Sequence, residues 1–266
     1  MKNIGNILFI GAGKMASAIT GGMVENGFST DNIAAYDVNQ AAVKNFTATT
    51  GVTADTEHPE QMVARADIII IAVKPQIIKS ALTVLPLNDK TIISIAAGVT
   101  LAALAEITGS SKIIRVMPNT PALVGQGISA WCASDAVNEK ETNAVELILD
   151  TVGKVCKVDE KMMDAVTGLS GSGPAYVFDF IQALADGGVK AGLPREIAMI
   201  LAGQTVAGAA AMVIESSEHP AVLRDMVTSP GGTTAAALAV LERKAFKGIV
   251  SDAVNAAAER SAELGK

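Results

Sequence analysis

The sequence predicts an α/β protein made of a doubly wound domain over residues 1–159 and an all-helical domain over residues 160–266. Three observations carry this. Up to Asp159 the chain alternates short β-branched runs with helical stretches, the pattern of a parallel sheet with helices on both sides. The run Asp67-Ile-Ile-Ile-Ile-Ala-Val73 is continuously apolar rather than alternating, as expected for a strand covered on both faces. Beyond Asp159 strand-like runs cease, and alanine and glycine rise in long helical stretches. Half of the 266 residues are apolar and 18% are charged, enough apolar material for buried cores and a balance foreign to disordered chains.

The strands are expected at Ile4–Ile10, Ile33–Tyr36, Ile68–Val73, Thr91–Ile95 and Lys112–Met117, with helices such as Met15–Glu25 and Gln40–Thr49 between them. Ile128–Ala133 and Lys154–Val158, flanking a helix over Asn138–Asp150, complete the same parallel sheet. The helical domain divides into Pro174–Ala191, Pro194–Ser216, Thr233–Arg243 and Phe246–Leu264. Pro174 and Pro194 suit first-turn positions, where a missing N–H is no loss. Ile197–Ile214 carries no charge and approaches the roughly 20 residues of a membrane span. Its Ala/Gly content, with Gln204 and Thr205 at the centre, reads instead as a buried helix. Gly203, Ala207 and Ala211 recur at four-residue spacing, which fits an ordinary Ala-rich core helix or a close helix neighbour. A helix so apolar lacks partners in so small a domain, and a helical bundle between subunits is expected.

Several function classes fall away. The formal charge is −6 and aromatics are 3%, against the basic, aromatic-studded surfaces that bind nucleic acid. Cys132 and Cys156 form neither a disulfide framework nor a metal-spaced cluster. His58 and His219 each precede a proline and read as turn residues, so no metal is expected. Neither histidine has a Ser-His-Asp or Cys-His context for nucleophilic hydrolysis. The apolar N-terminus breaks at Gly11-Ala12-Gly13, short of a signal peptide. The expectation is a soluble protein of the reducing cytoplasm, with no membrane or nucleic-acid partner.

The run ending at Ile10 leads into Gly11-Ala12-Gly13-Lys14-Met15-Ala16 and then a helix, which is the dinucleotide fingerprint G-x-G-x-x-A in its strand–turn–helix context. Gly11 permits the tight turn, Gly13 lets backbone approach a pyrophosphate, and Ala16 keeps helix and strand close. The phosphates then meet the positive end of the helix dipole. This makes the first domain Rossmann-type. Asp37, at the end of the second strand, either accepts hydrogen bonds from the adenosine ribose or caps the next helix, a job for which Asn39 is equally competent. Ala72-Val73-Lys74-Pro75 and Ala96-Ala97-Gly98 follow later strands and should line the cofactor, since ligands bind beyond the carboxyl ends of the strands. Arg115 reads as a loop-capping or surface residue, or as part of that rim. Two glycine-rich segments, Thr167–Pro174 and Thr228–Thr234, are each expected to open a helix whose free N–H groups suit a small carboxylate. In the second, Ser229, Gly231, Gly232, Thr233 and Thr234 supply backbone donors and hydroxyls.

With Phe9-Ile-Gly-Ala-Gly-Lys-Met15, Ala72–Pro75, Arg115-Val-Met-Pro-Asn-Thr-Pro121, Leu169-Ser-Gly-Ser-Gly-Pro-Ala-Tyr176, Ala185-Asp-Gly-Gly-Val189 and Thr228-Ser-Pro-Gly-Gly-Thr-Thr234, the whole chain resembles the pyrroline-5-carboxylate reductase family. The last segment, continued by Ala237-Leu238 and Leu241-Glu242, is the family's signature. The resemblance implies a Rossmann domain, an all-helical dimerisation domain, and NAD(P)H-dependent reduction of a cyclic imino acid to proline, the last step of proline biosynthesis. It implies that Gly11, Ala12, Gly13, Lys14, Met15, Ala72, Val73, Lys74 and Pro75 hold the cofactor, with Ala97 and Gly98 nearby; Ile10, Asp37 and Asn39 are expected beside them from their places at the ends of the first two strands. Glu160, Ser229, Gly231, Gly232, Thr233 and Thr234 would border the substrate, with the Thr234 hydroxyl on the ring nitrogen. Family members often use NADPH and carry a small polar residue where this chain has Asp37, so both NADPH and NADH stay open. A homodimer, or a higher oligomer built of dimers, is the expected assembly.

Two other readings have weaker support. A β-hydroxyacid dehydrogenase needs a lysine proton donor with an asparagine four residues on, whereas Lys161 is followed by Ala165. A non-catalytic dinucleotide sensor has no use for a second anion site.

Overall fold

The computed structural model describes residues 4–265; residues 1–3 and 266, the outermost parts of the two expected domains, lie outside them. Eight strands form one sheet: β1 (Ile7–Ile10), β2 (Ile33–Tyr36), β3 (Ala54–Asp55), β4 (Ile68–Ile71), β5 (Thr91–Ser94), β6 (Ile113–Met117), β7 (Gly127–Ala133) and β8 (Gly153–Lys157). Their order is β3-β2-β1-β4-β5-β6-β7-β8. The helices are α1 (Lys14–Glu25), α2 (Gln40–Thr50), α3 (Pro59–Arg65), α4 (Ile78–Leu82), α5 (Leu101–Thr108), α6 (Glu139–Leu149), α7 (Met163–Val166), α8 (Gly173–Lys190), α9 (Arg195–Ser216), α10 (Pro220–Met226), α11 (Thr233–Arg243) and α12 (Phe246–Leu264).

Successive residues of a strand point to opposite faces, and here both faces are covered. Ile7 and Phe9 of β1, with Ile68 and Ile70 of β4, join a core with Ile19 and Met23 of α1, Phe46 of α2 and Ile148 of α6. Leu8, Ile10, Ile69 and Ile71 pack on the other side with Val63, Ile78, Leu82 and Leu104. That is why these strands read as unbroken apolar runs. The order reverses between β1 and β4, so the loops that follow them flank the crevice where ligands of such sheets bind.

The sheet is not parallel throughout: β7 runs antiparallel to β6, with Arg115 opposite Cys132. Residues 118–126, which connect them, are fewer than the dozen or so a parallel crossover needs, so the chain doubles back.

The chain forms two compact units, Met1–Ser172 with Ala256–Lys266, and Gly173–Asn255. The division falls later than the expected 159/160 boundary, and the first unit also takes the end of α12. Residues 160–172 hold to the first unit through ion pairs from Arg115 to Glu160 and Asp164, at 3.6 and 3.8 Å. In the second unit α8 packs on α9 through Ala185, Ala198 and Ala202, with Ile181 and Val189 at the margin. Within the described residues α9 is not the buried helix expected: Ile200, Leu201 and Ile214 are 65%, 51% and 75% exposed. By length and composition α9 could cross a membrane; among the described residues none covers this apolar surface.

Candidate active site

The dinucleotide turn is built on backbone constraints that the sequence meets. Gly11 takes φ +105°, and a Cβ there would lie 2.7 Å from the Ala72 carbonyl oxygen and 2.9 Å from Val73 Cγ1. Only glycine lets the loop after β1 lie against the loop after β4. Gly13 is the N-cap of α1, contributes no side-chain cap, and faces open space where a Cβ would stand. An uncapped helix start with room before it, and no acid in its first turn, is a fitting cradle for a pyrophosphate. Lys14 is exposed beside it and Ala12 is buried. Of the loop after β4, Lys74 is exposed while Ala72, Val73 and Pro75 are half-buried.

Asp37 is neither a free acceptor nor the helix cap. Asn39 is the N-cap of α2, its side chain accepting from the N–H groups of Ala41 and Ala42. The Asp37 carboxylate accepts from Ala12 N–H through Oδ2 and from Asn39 N–H through Oδ1, both at 2.9 Å. It braces the dinucleotide turn. A carboxylate has about four lone-pair sites, so two remain for ribose hydroxyls.

Of the second rim segment, Ala97 is half-buried, but Gly98 is buried, at φ +78°, against Leu264 and Gly265. The last turn of α12 covers one side of this loop at Gly98 and leaves Ala97 the more accessible residue of the rim.

Arg115 is a core residue of β6, 4% exposed, rather than a loop cap or a surface group. Its guanidinium stands between Glu160 and Asp164; Glu160 also accepts Leu101 N–H at 2.7 Å, and Asp164 accepts the Ser261 hydroxyl at 2.7 Å. Glu160, expected beside the substrate, thus has its carboxylate committed to the start of α5 and to Arg115. Cys132, across the strand pair, feels the same cluster: burial and the Glu160 charge, opposed by Arg115, push its thiol up to about 11. That cysteine is no nucleophile. Asp164 and Ser261 escaped the sequence reading. The signal available was an arginine between apolar residues of a strand covered on both faces.

The glycine-rich segments differ. Within Thr167–Pro174, α8 does begin at Gly173, but the glycine-rich stretch before it is no free loop: Thr167–Gly171 is a π-helical turn running on from α7, with Ser172 N–H on the Thr167 carbonyl at 2.8 Å. Its N–H groups serve the helix, and a Cβ on Gly171 would strike Met117 Cε. Ser229–Gly232 is a true turn, closed by Gly232 N–H on Ser229 O at 3.0 Å, with Gly231 at φ +68°. Gly232 then caps α11 with no side chain, leaving the first-turn N–H groups beside Thr233, Thr234 and the exposed Ser229. This helix start can hold a carboxylate.

A dinucleotide turn at the reversal point of a doubly wound sheet, in a chain that goes on into an all-helical unit, defines an NAD(P)-linked oxidoreductase. The family described as pyrroline-5-carboxylate reductase dimerisation matches residues 160–264, and that described as NADP oxidoreductase, coenzyme F420-dependent, matches residues 6–98. The pyrroline-5-carboxylate reductase of Arabidopsis thaliana is 47% identical over 270 residues, covering 97% of this chain and 95% of the relative. The Plasmodium falciparum pyrroline carboxylate reductase solved with NADP bound is 37% identical, at a TM-score of 0.88 and 98% coverage of both chains. The Coxiella burnetii pyrroline-5-carboxylate reductase, also 37% identical, reaches a TM-score of 0.92 over 99% of this chain and 100% of that one. The chain belongs to the pyrroline-5-carboxylate reductase family.

Proposed function

We propose that this chain reduces 1-pyrroline-5-carboxylate to L-proline at the expense of NADPH or NADH, as a soluble homodimer of the cytoplasm. The observation that carries the reading is the uncapped start of α11 with its hydroxyl-bearing turn, in a chain that is 47% identical to a named reductase along almost its whole length. When bound, the reduced nicotinamide supplies a hydride. The Gly11–Met15 turn holds its pyrophosphate, and Ala72–Pro75 with Ala97 and Gly98 border the rest. The α11 N–H groups and Ser229 hold the substrate carboxylate, and the Thr234 hydroxyl accepts from the protonated ring nitrogen.

A cyclic imine that enters protonated is already an electrophile. Hydride addition at its C=N carbon leaves a neutral secondary amine, so the protein supplies orientation rather than an acid. Imine-dependent oxidation of NADPH or NADH tests the activity, and its absence in a folded dimer refutes it. Thr234→Ala removes one hydrogen bond to a charged partner, worth roughly 1.5–3 kcal/mol, so kcat/KM should fall about ten- to hundredfold. Thr234→Ser should recover most of this. Full activity in both variants, with unfolding midpoints unchanged, would leave Thr234 a packing residue.

A further inference from the structure

We propose that the C-terminal turn, Ser261–Gly265, is a positioning element for the dinucleotide rim: it clamps the loop after β5 and sets where Ala97 and Gly98 stand. The inference rests on the reading that these two residues line the cofactor.

Two independent contacts bring the turn to that loop. The first is backbone on backbone. Leu264 Cβ and Gly265 N lie 3.5 and 3.6 Å from where a Cβ on Gly98 would be, and a Cβ on Gly265 would lie 2.5 Å from the Gly98 carbonyl oxygen. At Gly265 a side chain would prevent this approach, whereas at Gly98 there is room for a Cβ and it is the positive φ that calls for glycine. The second contact is polar. Ser261 is 4% exposed on a helix whose outer face is wet, where Arg260 pairs with Glu263. Its hydroxyl donates to Asp164 at 2.7 Å, and Asp164 faces the buried Arg115 guanidinium at 3.8 Å. On the other side of that guanidinium, Glu160 accepts the N–H of Leu101, the first residue of α5.

Loop 95–100 therefore has three holds: β5 before it, the Glu160 anchor just after it, and the C-terminal turn against its middle. Without the third, a loop hinged on a glycine at φ +78° keeps several conformations of similar energy. The ordering of the loop would then be charged to cofactor binding. The turn removes that cost in advance. It contributes no group to the substrate's carboxylate or ring nitrogen, so its loss should be felt by the dinucleotide alone.

The test measures binding of NADPH and NADH by fluorescence, steady-state KM for each substrate, and thermal unfolding, in Ser261→Ala, Ser261→Thr and Gly265→Ala. Gly265→Ala pushes on the Gly98 carbonyl; Ser261→Ala unties the turn from Asp164. The expected result is a dinucleotide Kd raised about three- to tenfold in both, with the imine KM within about twofold of wild type. Ser261→Thr, which restores the hydroxyl, should return the Kd to near the wild-type value. Unchanged dinucleotide affinity in folded Gly265→Ala overturns the proposal even if Ser261→Ala fails to fold. So does a parallel rise in both KM values. Ala97→Val separates the two layers. If it leaves dinucleotide binding untouched, the assignment of the rim fails. If it weakens binding while Gly265→Ala does not, only the positioning role fails.

Discussion

Replacing Asp37 with asparagine tests the cofactor reading at the point where the structure changed it. The carboxylate oxygens are each taken by one backbone N–H, from Ala12 and Asn39. Asparagine keeps one acceptor but presents an amide NH2 to the other N–H, so one charge-assisted hydrogen bond becomes a donor–donor contact. For a half-exposed group that is worth about 1.5 kcal/mol, near the low end for bonds to charged acceptors, and both dinucleotides should weaken about tenfold through the distorted turn. A second effect acts on NADPH alone. Two unit charges about 6 Å apart repel by about 0.7 kcal/mol in bulk water and about 2.8 kcal/mol at an effective dielectric of about 20. A half-exposed carboxylate near a ribose 2′-phosphate falls between these, at about 1.4 kcal/mol, so its removal returns about tenfold to NADPH. The two effects cancel for NADPH and not for NADH. In Asp37→Asn, kcat/KM with NADPH should stay within a few-fold of wild type, while that with NADH should drop tenfold or more. Parallel initial-rate series with the two cofactors, beside fluorescence titrations, measure this directly. Equal losses for both would refute the reasoning and leave Asp37 a brace with no part in selectivity.

Two further outcomes concern stability and assembly. Glu141 caps α6 at Asn138, accepts from Thr91 and pairs with Lys112 at 2.7 Å; burial alone would raise its pKa, but these hydrogen bonds outweigh it and hold the carboxyl below the ordinary glutamate value. A lowered folded pKa contributes stability that is complete above the unfolded value and is lost as pH falls through the folded one. Glu141→Gln should therefore cost about 1 kcal/mol near neutral pH, and the gap to wild type in urea unfolding should close at acid pH; a gap independent of pH would refute this. Ile200→Glu places a charge on the exposed apolar face of α9, where the dimer reading requires burial against a second chain. Sedimentation should show monomers that are inactive or nearly so, and a variant that remains a dimer with normal activity would remove α9 from the interface.

The N-terminal half was readable because its physics is local. An unbroken apolar run such as Ile68–Ile71 announces a doubly covered strand, and Gly11 and Gly13 sit between a strand and a helix, where only a tight turn fits. β2 and α12 end where the residues suggested. What was missed depends on distant partners. Arg115 reads as a surface residue until Glu160 and Asp164, far along the chain, are seen to accompany it into the core. Leu169-Ser-Gly-Ser-Gly has the composition of a loop. It is helical because Gly171 lets the backbone close on Met117, a contact invisible in composition. The two-residue strand β3 is too short for any periodicity to register. The direction of β7 was within reach, since the short connection from β6 forbids a crossover.

The core that the second unit makes for itself is three alanines and two half-buried neighbours. Such a core cannot offset the conformational entropy of ordering α8 to α11 and the first half of α12, and in the proposed dimer the missing stabilisation comes from the second chain. Folding of the C-terminal part is then a reaction of second order. The sheet can assemble as the ribosome releases it, whereas the helices must wait for an encounter, and their waiting time lengthens as the protein becomes scarcer. Melting temperature becomes a property of the solution as much as of the sequence, rising with each tenfold increase in concentration. A chain diluted well below the dissociation constant of the proposed dimer would lose its helical half while the sheet stayed folded, and its dinucleotide turn would outlive its catalytic activity.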